Sequence, residues 1–320
     1  MTLTQLEVFV LVARLGSVKA AARVLGVSEP AVSGALAALR KHLGDPLVTS
    51  TSHGMELTSG GQRLVGIASQ MVNLGAEAEA AIRHAQGAPE LLRVVATSTI
   101  AEFVAPALVT AFTARVGPVE ASVGLATAEE MPALLQERLA DVALGPKLAE
   151  LDCEPLLRCR LVLVASPTHR LVTTPSPSGR VAAGALVDQD WLVDASVADP
   201  ASDVGRVLAR LRVPDQRIRV FPSQAAAWAA AADGLGVAPA IDHLVQREVA
   251  RGALVRLPVE GTPLDLLWFV STVSPDRRSP AATKLRRYLA TPDAMHVMHR
   301  ADGSVPVSRF RPPVYVTIWS

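Results

Sequence analysis

A chain of 320 residues exceeds what one ordinary hydrophobic core holds and suits two or three domains. Half of its residues are hydrophobic and 19% are charged, which excludes a disordered chain, and a net charge of +1 does not by itself point to nucleic acid. No run approaches the roughly 18 apolar residues of a membrane-spanning helix, and two cysteines, Cys153 and Cys159, are too few for a disulfide scaffold. The opening MTLTQLEVFVLVARLG lacks the basic region and small-residue cleavage site of a signal peptide, so a cytoplasmic protein without membrane contact is expected.

Three apolar-periodic segments come first, Leu3 to Leu15, Ser17 to Leu25 and Glu29 to Leu43. Gly16-Ser17 supplies a break and an N-cap, Gly26 stands where a helix end wants a left-handed residue, and Ser28 can cap the next helix with Pro30 in its first turn. Helix, short glycine turn, helix is the unit that DNA-binding proteins use to set a second helix in the major groove. At 100° per residue, Glu29 to Leu43 places Ala31, Val32, Ala35, Leu36, Leu39 and Leu43 toward a core. The opposite face carries Glu29, Pro30, Ser33, Gly34, Ala37, Arg40 and Lys41. Two strand-like pieces, Leu47 to Ser50 and Met55 to Leu57, then flank a turn and read as a β-hairpin wing. Residues 1–66 hold six basic side chains (Arg14, Lys19, Arg23, Arg40, Lys41, Arg63) against four acidic ones (Glu7, Glu29, Asp45, Glu56), a weak electrostatic footprint.

A long helical stretch runs from Thr58-Ser59 to about Ala85, with Leu64, Ile67, Met71, Leu74, Ala78, Ala81 and Ile82 recurring at threes and fours. Such a helix packs on a copy of itself or inside one large domain; the first reading gives a dimer through residues 59–86. Gln86-Gly87-Ala88-Pro89 marks a boundary. Strands and helices alternate beyond it. Strands are expected at LLRVVATS, VEASVGL, DVALG, LRCRLVLVAS, RIRVFP, GLGVAPAI and LDLLWFVS, and helices at Ile100 to Arg115, Ala128 to Arg138, Ser223 to Asp233, near Asp242 to Arg251, and Pro280 to Leu289. This rhythm argues for an α/β domain with largely parallel sheets and a small-ligand site beyond the strand ends. TTPSPSG, residues 173–179, reads as an exposed turn.

The N-terminal residues resemble the LysR-type transcriptional regulators. The matching residues are Leu6 and Phe9, Gly16-Ser17, Ala21-Ala22, Leu25, Ser28-Glu29-Pro30-Ala31-Val32-Ser33, Leu39, Leu43-Gly44, and Leu57-Thr58 with Gly61. The resemblance continues through Val94 to Thr99, Pro106, Val123 to Leu135, Leu139 to Leu144 and Gly234 to Pro239. It implies a winged helix-turn-helix over 1–58, a linker and dimerisation helix with its hinge over 59–90, and a periplasmic-binding-protein-like effector domain over 91–292. Within that domain it implies subdomain I at 91–163 and 266–292 and subdomain II at 164–265, joined by two crossover strands. The 293–320 extension, with Phe310, Tyr315 and Trp319, has no counterpart. The family implies double-stranded promoter DNA and a small-molecule effector as partners, a dimer of dimers, and no catalysis or cofactor.

Carried over residue by residue, DNA contact falls to Ser28, Glu29, Pro30, Ser33 and Gly34. Arg40, Lys41 and His53 would give charged support near phosphates. Glu29 either accepts from a cytosine amino group or serves as an exposed first-turn acid. The chain departs from the family pattern at Glu29 and Gly34, where Gln or Arg is common, and at Ser50, where the wing carries Arg in Leu-Phe-x-Arg. For the effector, Thr97, Ser98, Thr99 and Thr127 stand at strand-to-helix junctions suited to a small anion, and family position adds Ser196 and Gln224. Each hydroxyl could equally be an ordinary helix cap.

Cys153 and Cys159 could form a redox pair or be core thiols. Met295-His296-Val297-Met298-His299 could offer soft ligands, but no matched set stands elsewhere, so no metal site is assigned. An enzyme is disfavoured because nucleophile elbow, P-loop and HExxH are all missing. A solute-binding protein would lack the wing-bearing N-terminal module. The remaining alternative is a cytoplasmic small-molecule-binding protein whose specific DNA binding is weakened or lost.

Overall fold

The structure is a computed structural model that describes residues 1–51, 54–174, 179–182, 184–200 and 202–299. The chain divides into two compact units, one built mainly on Met1–Glu90 and the other mainly on Leu91–Pro132 and the described residues from Ala140.

In the first unit, helices α1 (Leu3–Leu15), α2 (Val18–Leu25) and α3 (Glu29–Leu43) precede strands β1 (Val48–Thr51) and β2 (Gly54–Leu57) and the helix α4 (Ser59–Ala85). Each helix starts on a hydroxyl that accepts a backbone N–H: Thr2 from Gln5, Ser17 from Ala20, Ser28 from Ala31 and Thr58 from Gly61. Gly26, at φ +67°, ends α2 in the left-handed region and fixes the turn into α3. Leu6, Phe9, Val12, Ala21, Ala22, Val32, Leu36 and Leu39 close the core. Two residues expected in that core are outside it. Ala31 lies in the first turn and is exposed, and Leu43 is 40% exposed in the last turn, because the ends of α3 overrun the helices it packs against.

The hairpin pairs Val48 with Leu57 through Thr51 with Gly54. Its base is a polar corner: Asp45 accepts from the Leu47 backbone N–H at 2.6 Å and the Thr58 hydroxyl at 2.7 Å. Those two bonds hold the Asp45 carboxyl below its ordinary pKa, the Leu47 bond contributing most. A side chain at Gly61 would overlap the Leu47 carbonyl oxygen, so α4 approaches the wing only through a glycine there.

The second unit takes β3 (Glu90–Ala96), α5 (Ser98–Phe103), α6 (Ala105–Val116), β4 (Val119–Leu125), α7 (Glu130–Gln136), β5 (Val142–Gly145) and the long β6 (Asp152–Ala165). Next come α8 (Arg170–Thr173), α9 (Gly184–Val187), β7 (Trp191–Asp194), α10 (Asp203–Leu211), β8 (Ile218–Phe221) and α11 (Gln224–Ala232). The described chain ends with β9 (Ala238–Ile241), α12 (Gln246–Ala250), β10 (Val255–Arg256), β11 (Leu264–Thr272), α13 (Pro280–Leu289) and α14 (Pro292–His299). The helix expected over Ile100 to Arg115 is two helices. Pro106 has no N–H, and its ring crowds the Glu102 carbonyl, so the path breaks at Val104.

One sheet runs β10-β6-β11-β5-β3-β4, with β9 also on β6, and β7 and β8 form a separate parallel pair. The expectation of largely parallel sheets is corrected: β3–β5 is parallel, but β11 is antiparallel to both β5 and β6, as are β9 and β10 to β6. The cause is connectivity, since β6 carries the chain from one half of the unit to the other and β11 brings it back. Both strands are shared by the two halves, and their return direction is fixed. β5 and β9 are buried along their whole length, covered on both faces as continuous apolar strands require. The loop expected at 173–179 lies outside the described residues over 175–178.

Candidate nucleic-acid interface and ligand cleft

The front of α3 presents Ser28, Glu29, Pro30, Ser33 and Gly34 together on an exposed face, with Ala37 and Lys41 one and two turns on. Large side chains are missing there. A Cβ at Gly34 would meet nothing within 4 Å, so the glycine is not demanded by packing inside the chain. Its effect is to lower this strip of helix surface, which lets a backbone partner approach. The Ser28 oxygen already accepts from Ala31 at 3.4 Å and retains its hydroxyl hydrogen for a phosphate.

Arg40 is placed differently from the expectation. It is half-buried and donates to the Val48 carbonyl at 3.0 Å, so it ties α3 to the wing strand. Its Nε is buried and has no partner among the described residues. Lys41 remains exposed, and His42 beside it is an exposed base the sequence reading passed over. His53 lies outside the described residues. Among the residues of α4, Ile67 (57%), Leu74 (53%) and Ile82 (63%) keep their apolar side chains exposed, joined by Met71, Ala78 and Ala81 on the same stripe.

In the second unit, Thr97, Ser98 and Thr99 come from the end of β3 and the start of α5, and Ser196 and Gln224 come from beyond the crossover. All five line one cavity of about 60 Å³, together with Asp199, Ser202, Asp203, Trp228 and Trp268. Thr127 stays out of it. Its hydroxyl accepts from the Glu130 backbone N–H at 3.3 Å while its own N–H donates to the Glu130 carboxylate at 2.8 Å, a reciprocal cap that leaves Ala128 as the lining residue.

Three contacts clasp the halves around the cavity. The Ser98 hydroxyl donates to Asp194, a carboxylate only 3% exposed, which also accepts from Ser196 at 2.6 Å. Glu102 accepts from the first backbone N–H groups of α11, Gln224 at 2.9 Å and Ala225 at 3.1 Å. Phe103 stacks on Trp228 with ring centroids 4.7 Å apart. Asp194, Glu102 and Phe103 were not found from sequence. Asp194 alone had a signal, WLVD, a short apolar run ending in an acid at the carboxyl end of a strand, where ligand-site residues concentrate.

The cysteines are not a pair. Six residues apart on one strand, they stand about 20 Å from each other, far beyond disulfide reach. Cys153 donates to the Leu148 carbonyl at 3.1 Å. Burial, with the Asp203 charge second, pushes the Cys159 thiol up to about 12. Among the described residues no group of three metal-ligating side chains occurs. The Met295–His299 segment forms α14, with Met298 buried in the core. No described helix is long and apolar enough to cross a membrane.

Residues 3–62 match the family model described as bacterial regulatory helix-turn-helix protein, lysR family, and residues 85–292 match the LysR substrate binding domain. The chain is 33% identical, over the full length of both proteins, to the uncharacterized HTH-type transcriptional regulator Rv0377 of Mycobacterium tuberculosis. It is 28% identical to the HTH-type transcriptional regulator CfxR of Cupriavidus necator, with 97% of each chain covered. In fold it is similar to full-length CbnR complexed with target DNA, at a TM-score of 0.61 and 20% identity, over 90% of this chain and 99% of that one.

Proposed function

The chain belongs to the LysR family of transcriptional regulators, and we propose that it reads promoter DNA with the front of α3 and reports the presence of a small ligand held in the cleft. As a family member it binds promoter DNA and a small-molecule effector and assembles as an oligomer. The finer assignments are ours. Self-association runs through residues 59–86 as a dimer, and dimers pair into a tetramer. The protein works in the cytoplasm without catalysis or a resident cofactor.

The observation that carries this reading is the convergence of Thr97, Ser98, Thr99, Ser196 and Gln224, drawn from two halves of the chain, on one cavity. A ligand there touches both halves at once, so its affinity depends on how far they close. It therefore biases closure and, through it, the arrangement of the dimers and the bend they impose on DNA. On the DNA side, the serine hydroxyls and first-turn N–H groups of α3 meet phosphates, and the lowered surface at Gly34 brings the helix close to base edges.

Footprinting on the region upstream of the protein's own gene, at two salt concentrations and with and without small ligands, tests the reading. A protected site whose affinity falls with salt, and whose extent changes with a ligand, is expected. Equally weak binding to that region and to random DNA would overturn it. That outcome would favour the alternative of a small-molecule-binding protein with lost DNA specificity, a reading to which the internal engagement of Arg40 gives some weight.

A further inference from the structure

We propose that the group of the ligand seated between Ser98, Ser196 and Gln224 is a hydrogen-bond donor, a primary amine or ammonium on a skeleton of a few heavy atoms. The proposal rests on the effector reading above and names the chemistry of the same cleft.

A serine hydroxyl has one hydrogen and two lone pairs. Ser98 and Ser196 both commit that hydrogen to Asp194, so toward the cavity they present lone pairs only. Gln224 points the same way chemically. It is 2% exposed, its Nε2 donates to the Pro239 carbonyl at 3.1 Å, and among the described residues its Oε1 is the uncommitted atom of the amide. Three polar groups from three separate elements thus offer acceptors and no side-chain donor.

The charges agree. Asp194 is buried, and among the described residues it has no Lys, Arg or His partner; a buried carboxylate without a counter-cation is costly until one arrives. Among the described residues the charged ones lining the cavity are both acids, Asp199 and Asp203. The N-terminus of α11 is closed to an external anion, since Glu102 and the Ser223 hydroxyl already take its first N–H groups. An ammonium entering here gains three acceptors and the field of buried acid. A carboxylate between these three side chains meets lone pairs and like charge, while the hydroxyls of Thr97, Thr99 and Ser202 on the same lining are left to the rest of the ligand. The cavity of about 60 Å³ limits the seated part to a few atoms.

Full-length protein is titrated with ethylammonium and ethanolamine, and with acetate and glycolate at matched ionic strength, by calorimetry and thermal shift. Saturable binding of the amines, with a rise in Tm that the acids do not produce, is expected. Asp194→Asn, which keeps an acceptor oxygen for one of the two serines and removes the charge, weakens amine binding by about tenfold or more. Ser196→Ala, which leaves the carboxylate in place, weakens it less and serves as the second variant if Asp194→Asn does not fold. Saturable binding of the acids instead overturns the donor assignment and leaves an effector cleft. No saturable binding of either class also overturns it, and a promoter footprint unchanged by all four probes removes the effector reading with it.

Discussion

Arg40 and Lys41 are neighbours in sequence with the same charge, yet packing gives them separate roles. Arg40→Ala removes the bond to the Val48 carbonyl and the packing of its stem, so it lowers the Tm of the DNA-binding unit as well as DNA affinity. Lys41→Ala, at an exposed position, leaves Tm unchanged and lowers the slope of log affinity against log salt by about one. Thermal melts and salt-dependent binding on both variants check the contrast. Gly61→Ala is expected to destabilise the same unit by about 1–3 kcal/mol, measured by denaturant unfolding, because the new methyl group meets the Leu47 backbone. Asp45 acts on the same corner through pH. Its folded pKa is depressed, so its contribution is complete above the ordinary value of 3.8 and is lost as pH falls through the lowered one. Asp45→Asn should therefore flatten that part of the acid stability curve, and an unchanged curve would remove the role assigned to the corner.

At the scale of elements, α3 keeps an exposed front of small residues, and its proposed role makes their size testable. Gly34→Ala is expected to stabilise the unit by about 1 kcal/mol through helix propensity, seen as a higher Tm, while weakening DNA binding. A rise in both would mean that the strip around Gly34 does not face the DNA closely. The helix α4 carries an apolar stripe that its own chain leaves exposed, and Leu74→Glu placed on it should shift the protein toward monomer by sedimentation. These elements were legible for a plain reason. α3, α4 and α13 have caps and unbroken 3.6-residue periodicity, and their expected and observed limits agree closely. Elements governed by distant partners were not legible. β7 is four residues long, and α10 follows a loop whose signals gave no period, so both escaped the reading of the sequence.

Across the whole molecule, the family and its two modules were readable because their motifs are local: caps, turns and a glycine that only close approach explains. Of the six residues expected at a ligand site, Thr97, Ser98, Thr99, Ser196 and Gln224 line one cavity: the threonines and Ser98 because hydroxyls at a strand-to-helix junction are a local pattern, Ser196 and Gln224 through the family resemblance. Their chemistry was not readable. Whether Ser98 offers a hydrogen or a lone pair depends on Asp194, ninety-six residues away, and no local pattern carries that information. The crossover by β6 and β11 has one more consequence. The two strands stay bonded to each other from Leu264–Leu161 to Thr272–Asp152, so the halves are joined by a ribbon and not by a slack joint. A ribbon resists bending in its plane and yields by twisting, and the register slip between Trp268 and Phe269, with Leu156 as the extra residue opposite, marks where it yields most easily. Trp268 also lines the cavity, so a ligand seated there would touch the torsion element itself. Closure should then behave as a stiff, small-amplitude rotation in which the work of binding is held as sheet twist until it is passed on.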